Sequence, residues 1–152
     1  MKNIVSSFIF AIALLCTACA SKSQAEKSGG AETIFKNYQA LEHSFDPAVA
    51  DLYCDSALIR NVRTYPDGQE RTLELPGAKY KELIRAAMPL AKSKGDISTY
   101  SAVAYAPEAD NVRVTATRYS VLKKYSSPMS LLIGACNGGE WAILEELGES
   151  QP

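Results

Sequence analysis

Apolar side chains recur with two different periods along this chain, and the change of period separates helices from strands. They return every three or four residues over residues 32–45 and 78–92, which predicts two amphipathic helices. Between them, Asp46 is a favourable N-cap and Pro47 a favourable first helical residue, so a short helix is predicted over residues 47–53. Three helices are therefore expected before residue 93.

The other periodic segments have the pattern of strands. Residues 57–65 and 70–75 flank the turn residues Pro66-Asp67-Gly68, which predicts a hairpin. Four further strands are predicted, at residues 97–105, 112–123, 128–136 and 140–146, the last two around Asn137-Gly138-Gly139. Strands that cluster after helices, rather than alternating with them, indicate the α+β class.

The first 18 residues resemble a secretory signal peptide. Lys2 precedes a mostly apolar run over residues 4–15, which is too short to span a bilayer comfortably. Leu15-Cys16-Thr17-Ala18-Cys19 resembles a bacterial lipobox with Cys19 as the lipidated residue, although Cys16 stands where Leu is usual. Acylation such as palmitoylation would anchor the chain to a membrane of the cell envelope, facing the periplasm. The alternative is ordinary cleavage after Ala20, which would give a soluble periplasmic or secreted protein.

The composition excludes some classes of function but does not identify one. The chain has 152 residues with 16 basic and 17 acidic side chains, a balance that argues against a dedicated nucleic-acid-binding protein. Residues 19–30 are mainly polar and small, without apolar periodicity, which predicts a flexible tether. One domain is then expected over residues 31–148, followed by a short tail over residues 149–152.

Cysteine usage offers one candidate disulfide. Cys54 and Cys136 remain once Cys16 is removed with the signal peptide and Cys19 is acylated. In an oxidising compartment such a pair tends to form a disulfide, and the alternative is two separately buried thiols. Two cysteines and the single His43 lack the spacing of zinc ligands, so neither a metal nor a cofactor is expected.

Three short stretches carry a family resemblance. They are Phe45-Asp46-Pro47 followed by Leu52-Tyr53-Cys54-Asp55-Ser56-Ala57-Leu58-Ile59, then Leu75-Pro76-Gly77, and finally Gly138-Gly139-Glu140-Trp141-Ala142-Ile143. In this order and spacing they resemble the nuclear transport factor 2 (NTF2)-like superfamily, also called cystatin-like or polyketide-cyclase-like. The resemblance covers residues 31–148 and implies a curved antiparallel or mixed sheet wrapped on three helices, a cone with a pocket. It also implies that the first strand lies beside the last, which would bring Cys54 close to Cys136.

Catalytic members of that superfamily place an acid, a His or a Tyr in the cone pocket. His43 stands alone near the end of the first helix and is more typical of a surface residue than of a base. No catalytic dyad or triad is identified. Trp141 is a candidate pocket residue, and alternation places Glu145 on the same strand face. Glu145 is therefore a candidate pocket base, with a solvated strand-end carboxylate as the alternative.

Other pocket candidates follow from periodicity. Arg118 continues the mostly apolar face of Val112, Val114 and Ala116, where it could bind an acidic ligand, pair with a glutamate or extend to the rim. Tyr38, Tyr80 and Tyr105 are placed to line the pocket or to fill the core.

Three functions are compatible with these features. We favour a non-enzymatic envelope lipoprotein that binds a small apolar or amphipathic molecule in the cone. An isomerase, cyclase or dehydratase would instead use Glu145 or a Tyr as proton carrier. An interaction module would use its sheet face to form a homodimer or to bind another envelope protein. The contents of the cone distinguish these hypotheses, because function depends on the site rather than on the fold.

Overall fold

The computed structural model describes residues 12–152, with side chains from residue 25 onward. The elements are helix α1 Ile12–Ser44, a 3-10 helix Pro47–Leu52, strands β1 Tyr53–Thr64 and β2 Glu70–Pro76, helix α2 Gly77–Lys94, strands β3 Ser98–Glu108, β4 Asn111–Ser120 and β5 Tyr125–Ala135, a 3-10 turn Cys136–Gly138, and strand β6 Trp141–Ser150. The predicted α+β class and the order of elements are confirmed. β1 begins four residues before its predicted start at residue 57, and β6 continues past residue 148 into the predicted tail.

The strands form one mixed sheet in the order β2-β1-β6-β5-β4-β3. β1 and β6 are parallel, whereas every other neighbouring pair is antiparallel. The sheet curls around the helices, with α1 against β3, β4, β5 and β6, and α2 against β1 and β2. The first strand therefore lies beside the last, as the family resemblance implied.

The core fills the space between the inner face of the sheet and the helices. Alternate residues of β4 and β5 point inward, so their side chains meet α1 across the cone. The largest fully buried side chains are Phe35, Leu131, Ile133, Ile143, Val49, Val112 and Val114. This apolar contact is the main source of stability for the fold.

Two close approaches of the chain meet at the start of β1. Gly77 begins α2 where an added Cβ would collide with the carbonyl oxygen of Cys54, so a glycine is required there. Cys54 and Cys136 form a disulfide with a Cα–Cα distance of 5.6 Å, within the usual range for such bonds. The predicted disulfide is confirmed, and it joins the start of β1 to the turn before β6.

The structure differs from the flexible tether predicted over residues 19–30, because α1 continues through them. Lys27 Nζ lies 2.9 Å from an Asp110 carboxylate oxygen, and Gly30 packs so closely on Trp141 that an added Cβ would lie 3.2 Å from the indole. The Ala, Glu, Lys and Gln residues of this segment have good helix propensity, and these contacts hold its end on the domain. No helix in the described part of the chain is long and apolar enough to cross a bilayer.

The predictions for the N-terminus lie outside what the structure describes. Residues 1–11 of the predicted signal peptide have no described structure, and the side chains of residues 12–24, including that of Cys19, are not described. Signal cleavage and lipidation therefore stay predictions from the sequence.

Candidate functional site

A β-bulge in β6 decides which glutamate faces the interior of the cone. β5 pairs Ile133 with Ile143 but pairs the residue before Ile133 with Glu145, so Leu144 is an extra residue in β6. An extra residue reverses the alternation of side chains beyond it. Glu146, not Glu145, therefore follows Ile143 on the inner face, and the predicted pocket position of Glu145 is wrong by one residue.

Glu145 lies half-buried on the outer face of the sheet, in an ion-pair network with Arg113. The Arg113 guanidinium donates to Glu145 through Nη1 and to both oxygens of Glu108 at 2.8 and 2.9 Å. Its Nη1 also lies 3.4 Å from the Ser130 hydroxyl. Each guanidinium nitrogen has an acceptor, so these charges hold neighbouring strands together.

Glu146 lies buried on the inner face, and two tyrosines donate to it. The Tyr53 hydroxyl donates to Oε2, and the Tyr80 hydroxyl lies 3.3 Å from Oε1. The two tyrosine rings meet edge to face, with centroids 5.3 Å apart. Burial raises the pKa of Glu146 above its usual range, and the hydrogen bonds from the tyrosines oppose that rise.

A second tyrosine–glutamate contact lies on the same inner surface. The Tyr100 hydroxyl donates to Glu42 of α1, and its ring meets that of Tyr38 edge to face at 6.0 Å. Burial raises the pKa of Tyr38 and Tyr100, so both hydroxyls stay protonated in the neutral range. We define the inner polar cluster as Tyr38, Glu42, Tyr53, Tyr80, Tyr100, Arg118 and Glu146.

Arg118 is the cationic member of the inner polar cluster. It lies on the inner face of β4 beyond Ala116, as alternation predicted. Among residues 25–152 its guanidinium makes no ion pair, and its Nε is buried without a hydrogen-bond partner. A buried donor without an acceptor costs about 1–3 kcal/mol. The positive charge of Arg118 acts in the other direction, because it lowers the pKa of the buried Glu146.

A pocket of about 110 Å³ opens beside Arg118. Its polar lining is Arg118, Glu42, Asp96 and Ser98, and its apolar lining is Phe45, Met88 and Ala91. The volume is that of three to four water molecules at ~30 Å³ each. It is far below the ~300–1,000 Å³ of pockets for drug-sized ligands, so only a very small molecule fits.

The remaining sequence-predicted pocket residues lie elsewhere. Trp141 packs on Gly30 near the middle of α1, about 18 Å along the helix axis from position 42 at ~1.5 Å per residue. Tyr105 is half-buried with its ring 6.5 Å from that of Phe35, outside the inner polar cluster. His43, which was predicted to be a surface residue, is exposed on the last turn of α1. Of the predicted candidates, only Tyr38, Tyr80 and Arg118 belong to the cluster.

Several members of the site were not predicted from the sequence. Glu42 follows Tyr38 by four residues, and this helical spacing could have identified it as a neighbour on the same face. Tyr53 and Tyr100 carry no local signal that separates them from core tyrosines. Glu146 was not identified because strict alternation assigned its place to Glu145. No group of three or more His, Cys, Asp or Glu side chains in the described residues is arranged to hold a metal ion.

Comparisons with known proteins identify the fold. No protein-family model and no curated protein matches the sequence. An NTF2-like protein with a cystatin-like fold from Novosphingobium aromaticivorans has a TM-score of 0.59 at 13% identity, over 89% of this chain and 88% of that one. An NTF2-like protein from Streptomyces avermitilis, for which a dehydratase activity has been suggested, has a TM-score of 0.60 at 10% identity, over 83% of this chain and 96% of that one. An NTF2-like protein of unknown function from Pseudomonas putida has a TM-score of 0.58 at 11% identity, over 83% of this chain and 87% of that one.

These likenesses show that the chain has the NTF2-like, cystatin-like fold, and the resemblance seen in the sequence is confirmed at that level. At sequence identities this low, a shared fold does not show a shared activity or ligand.

Proposed function

We propose that this protein is exported, anchored by a lipid on Cys19, and binds a small amphipathic molecule in the pocket at Arg118. The observation that carries the binding role is that Arg118, which makes no ion pair among residues 25–152, lines this pocket together with Glu42 and Asp96. Small-molecule sites are typically pockets in which a few charged or polar side chains fix the orientation of the ligand.

Two features support export. The first is the signal-like sequence over residues 1–18 with its lipobox resemblance. The second is the Cys54–Cys136 disulfide, because such bonds form and persist mainly in oxidising compartments such as the periplasm. The lipobox favours an anchored protein facing the periplasm over the soluble periplasmic alternative.

A second candidate is a proton-transfer enzyme of the isomerase or dehydratase kind. It is favoured by the buried carboxyl of Glu146, whose pKa is raised and which two tyrosines contact. Binding is preferred because Glu146 is not among the residues that line the 110 Å³ pocket. Turnover of small hydroxycarbonyl compounds that disappears in folded Glu146→Gln would favour the enzyme.

Mass spectrometry of the full chain expressed in a bacterium tests the proposal. Under denaturing conditions we expect a polypeptide that begins at Cys19 and carries acyl groups, which Cys19→Ala loses. Cys16→Ala is the matched control and should be acylated like the wild type. A wild-type protein that begins at Ser21 without acyl groups would contradict the anchor.

Native mass spectrometry of the same preparation tests the binding role. We expect a small adduct that is lost on denaturation and absent from Arg118→Gln. A dimer without any adduct would contradict the binding role and favour the interaction module.

A further inference from the structure

The charges around the pocket restrict the chemical class of its ligand. Arg118 makes no ion pair with residues 25–152, and the half-buried Asp96 carboxylate receives no hydrogen bond from them. The third charged group, Glu42, already accepts a hydrogen bond from Tyr100. The lining therefore carries one free positive and one free negative group that do not pair with each other.

A ligand of one charge fits this lining poorly. A simple anion would pair with Arg118 but would meet the carboxylates of Asp96 and Glu42. A simple cation would pair with Asp96 but would meet the positive guanidinium of Arg118. Like charges in a pocket repel, so a ligand with a single charge of either sign is repelled by part of the lining.

We propose, building on the proposed function, that the pocket binds a small zwitterion of α-amino-acid size. Its carboxylate accepts from the Arg118 guanidinium, and its ammonium group lies toward Asp96 and Glu42. The pocket volume of about 110 Å³ limits the ligand to a short side chain. Phe45, Met88 and Ala91 supply the apolar surface on which that side chain packs.

Isothermal titration calorimetry on the protein purified from bacteria expressing the full chain tests this inference. The probes are L-alanine and glycine as zwitterions, acetate as the carboxylate alone, and methylammonium as the ammonium alone. We expect L-alanine and glycine to bind, and each half-ligand to bind at least tenfold more weakly at equal pH and salt.

Substitutions of Arg118 and Asp96 test whether the ligand binds in this pocket. Arg118→Gln and Asp96→Asn should each raise the Kd for L-alanine at least tenfold. Arg85→Gln and Asp51→Asn are the matched controls, because they remove an arginine and an aspartate of an exposed pair 2.5 Å apart, and both should leave the Kd unchanged. Circular dichroism confirms that each variant is folded. If Arg118→Gln does not fold, Arg118→Lys keeps the charge without the planar fork and should still weaken binding severalfold.

The outcomes separate this inference from the proposed function. Equal affinity for acetate and L-alanine would overturn it in favour of an anion site, and equal affinity for methylammonium would overturn it in favour of a cation site. If no zwitterion binds but native mass spectrometry shows another adduct that depends on Arg118, the ligand class is wrong and the binding role stands. If neither is seen, both proposals fail.

Discussion

The two faces of the sheet differ in how their charged side chains are paired. Arg113 and Arg118 lie on β4 at odd spacing, so they point to opposite faces. On the outer face, Arg113 has Glu108, Glu145 and Ser130 as partners. On the inner face, Arg118 has no acceptor for its Nε within the described residues.

The adjacent glutamates of β6 repeat the contrast. Glu145 pairs with an arginine on the outer face, whereas Glu146 is buried between two tyrosines. Paired charges near the surface cost little and link neighbouring strands. Unpaired charge kept inside a fold reduces its stability, and proteins retain such groups mainly where function requires them. This contrast favours the inner face, rather than the ion-pair network on the outer face, as the position of the proposed ligand site.

The largest expected effect comes from neighbouring leucines of β5 that face opposite ways. Leu131 is 1% exposed on the inner face, so Leu131→Ala should lower the free energy of unfolding by about 2–5 kcal/mol. Leu132 is half-buried on the outer face, and Leu132→Ala should cost less than about 1.5 kcal/mol. Urea unfolding measures both. Equal costs would show that the assignment of inner and outer faces is wrong.

The smallest expected effect is a change in the pH dependence of stability. Burial raises the pKa of Glu146 in the folded state, so the native protein holds this proton more tightly than the unfolded chain. Its contribution to stability is complete below the usual Glu pKa and is lost as pH rises through the raised folded pKa. Glu146→Gln should therefore gain stability relative to wild type as pH rises through that window.

Leu147→Ala is the control for this prediction, since Leu147 is the half-buried neighbour of Glu146 and does not titrate. It should keep the wild-type slope of unfolding free energy against pH. The slopes are measured by urea unfolding at a series of pH values. An unchanged slope in Glu146→Gln would show that burial does not raise the pKa of Glu146.

The sequence predicted most of the fold because the fold depends on patterns that repeat. Helical spacing around Phe35 and alternation around Val114 identify the elements on which the core is built. The disulfide could be anticipated once the family resemblance placed the first strand beside the last. The helix before residue 31 was not predicted, since the packing of Gly30 on Trp141 joins residues far apart in the chain.

The site was less predictable because its residues depend on local irregularity. Alternation holds along β4, and it placed Arg118 correctly on the inner face. The bulge at Leu144 breaks alternation in β6 and exchanges the roles of Glu145 and Glu146. Asp96 lies just after the C-terminal cap of α2, where no periodicity indicates which side chains meet a pocket.

A crystal structure of the protein grown with and without L-alanine is the most direct test of the claim that the inner face holds an open ligand site. With L-alanine, we expect its carboxylate to lie within about 3 Å of a guanidinium nitrogen of Arg118 and its ammonium group to face Asp96. Without the ligand, Arg118 should still lack a carboxylate partner from the chain. An Arg118 side chain that pairs with Glu42 or Asp96 in both crystals, with no amino acid in the pocket, would contradict this claim.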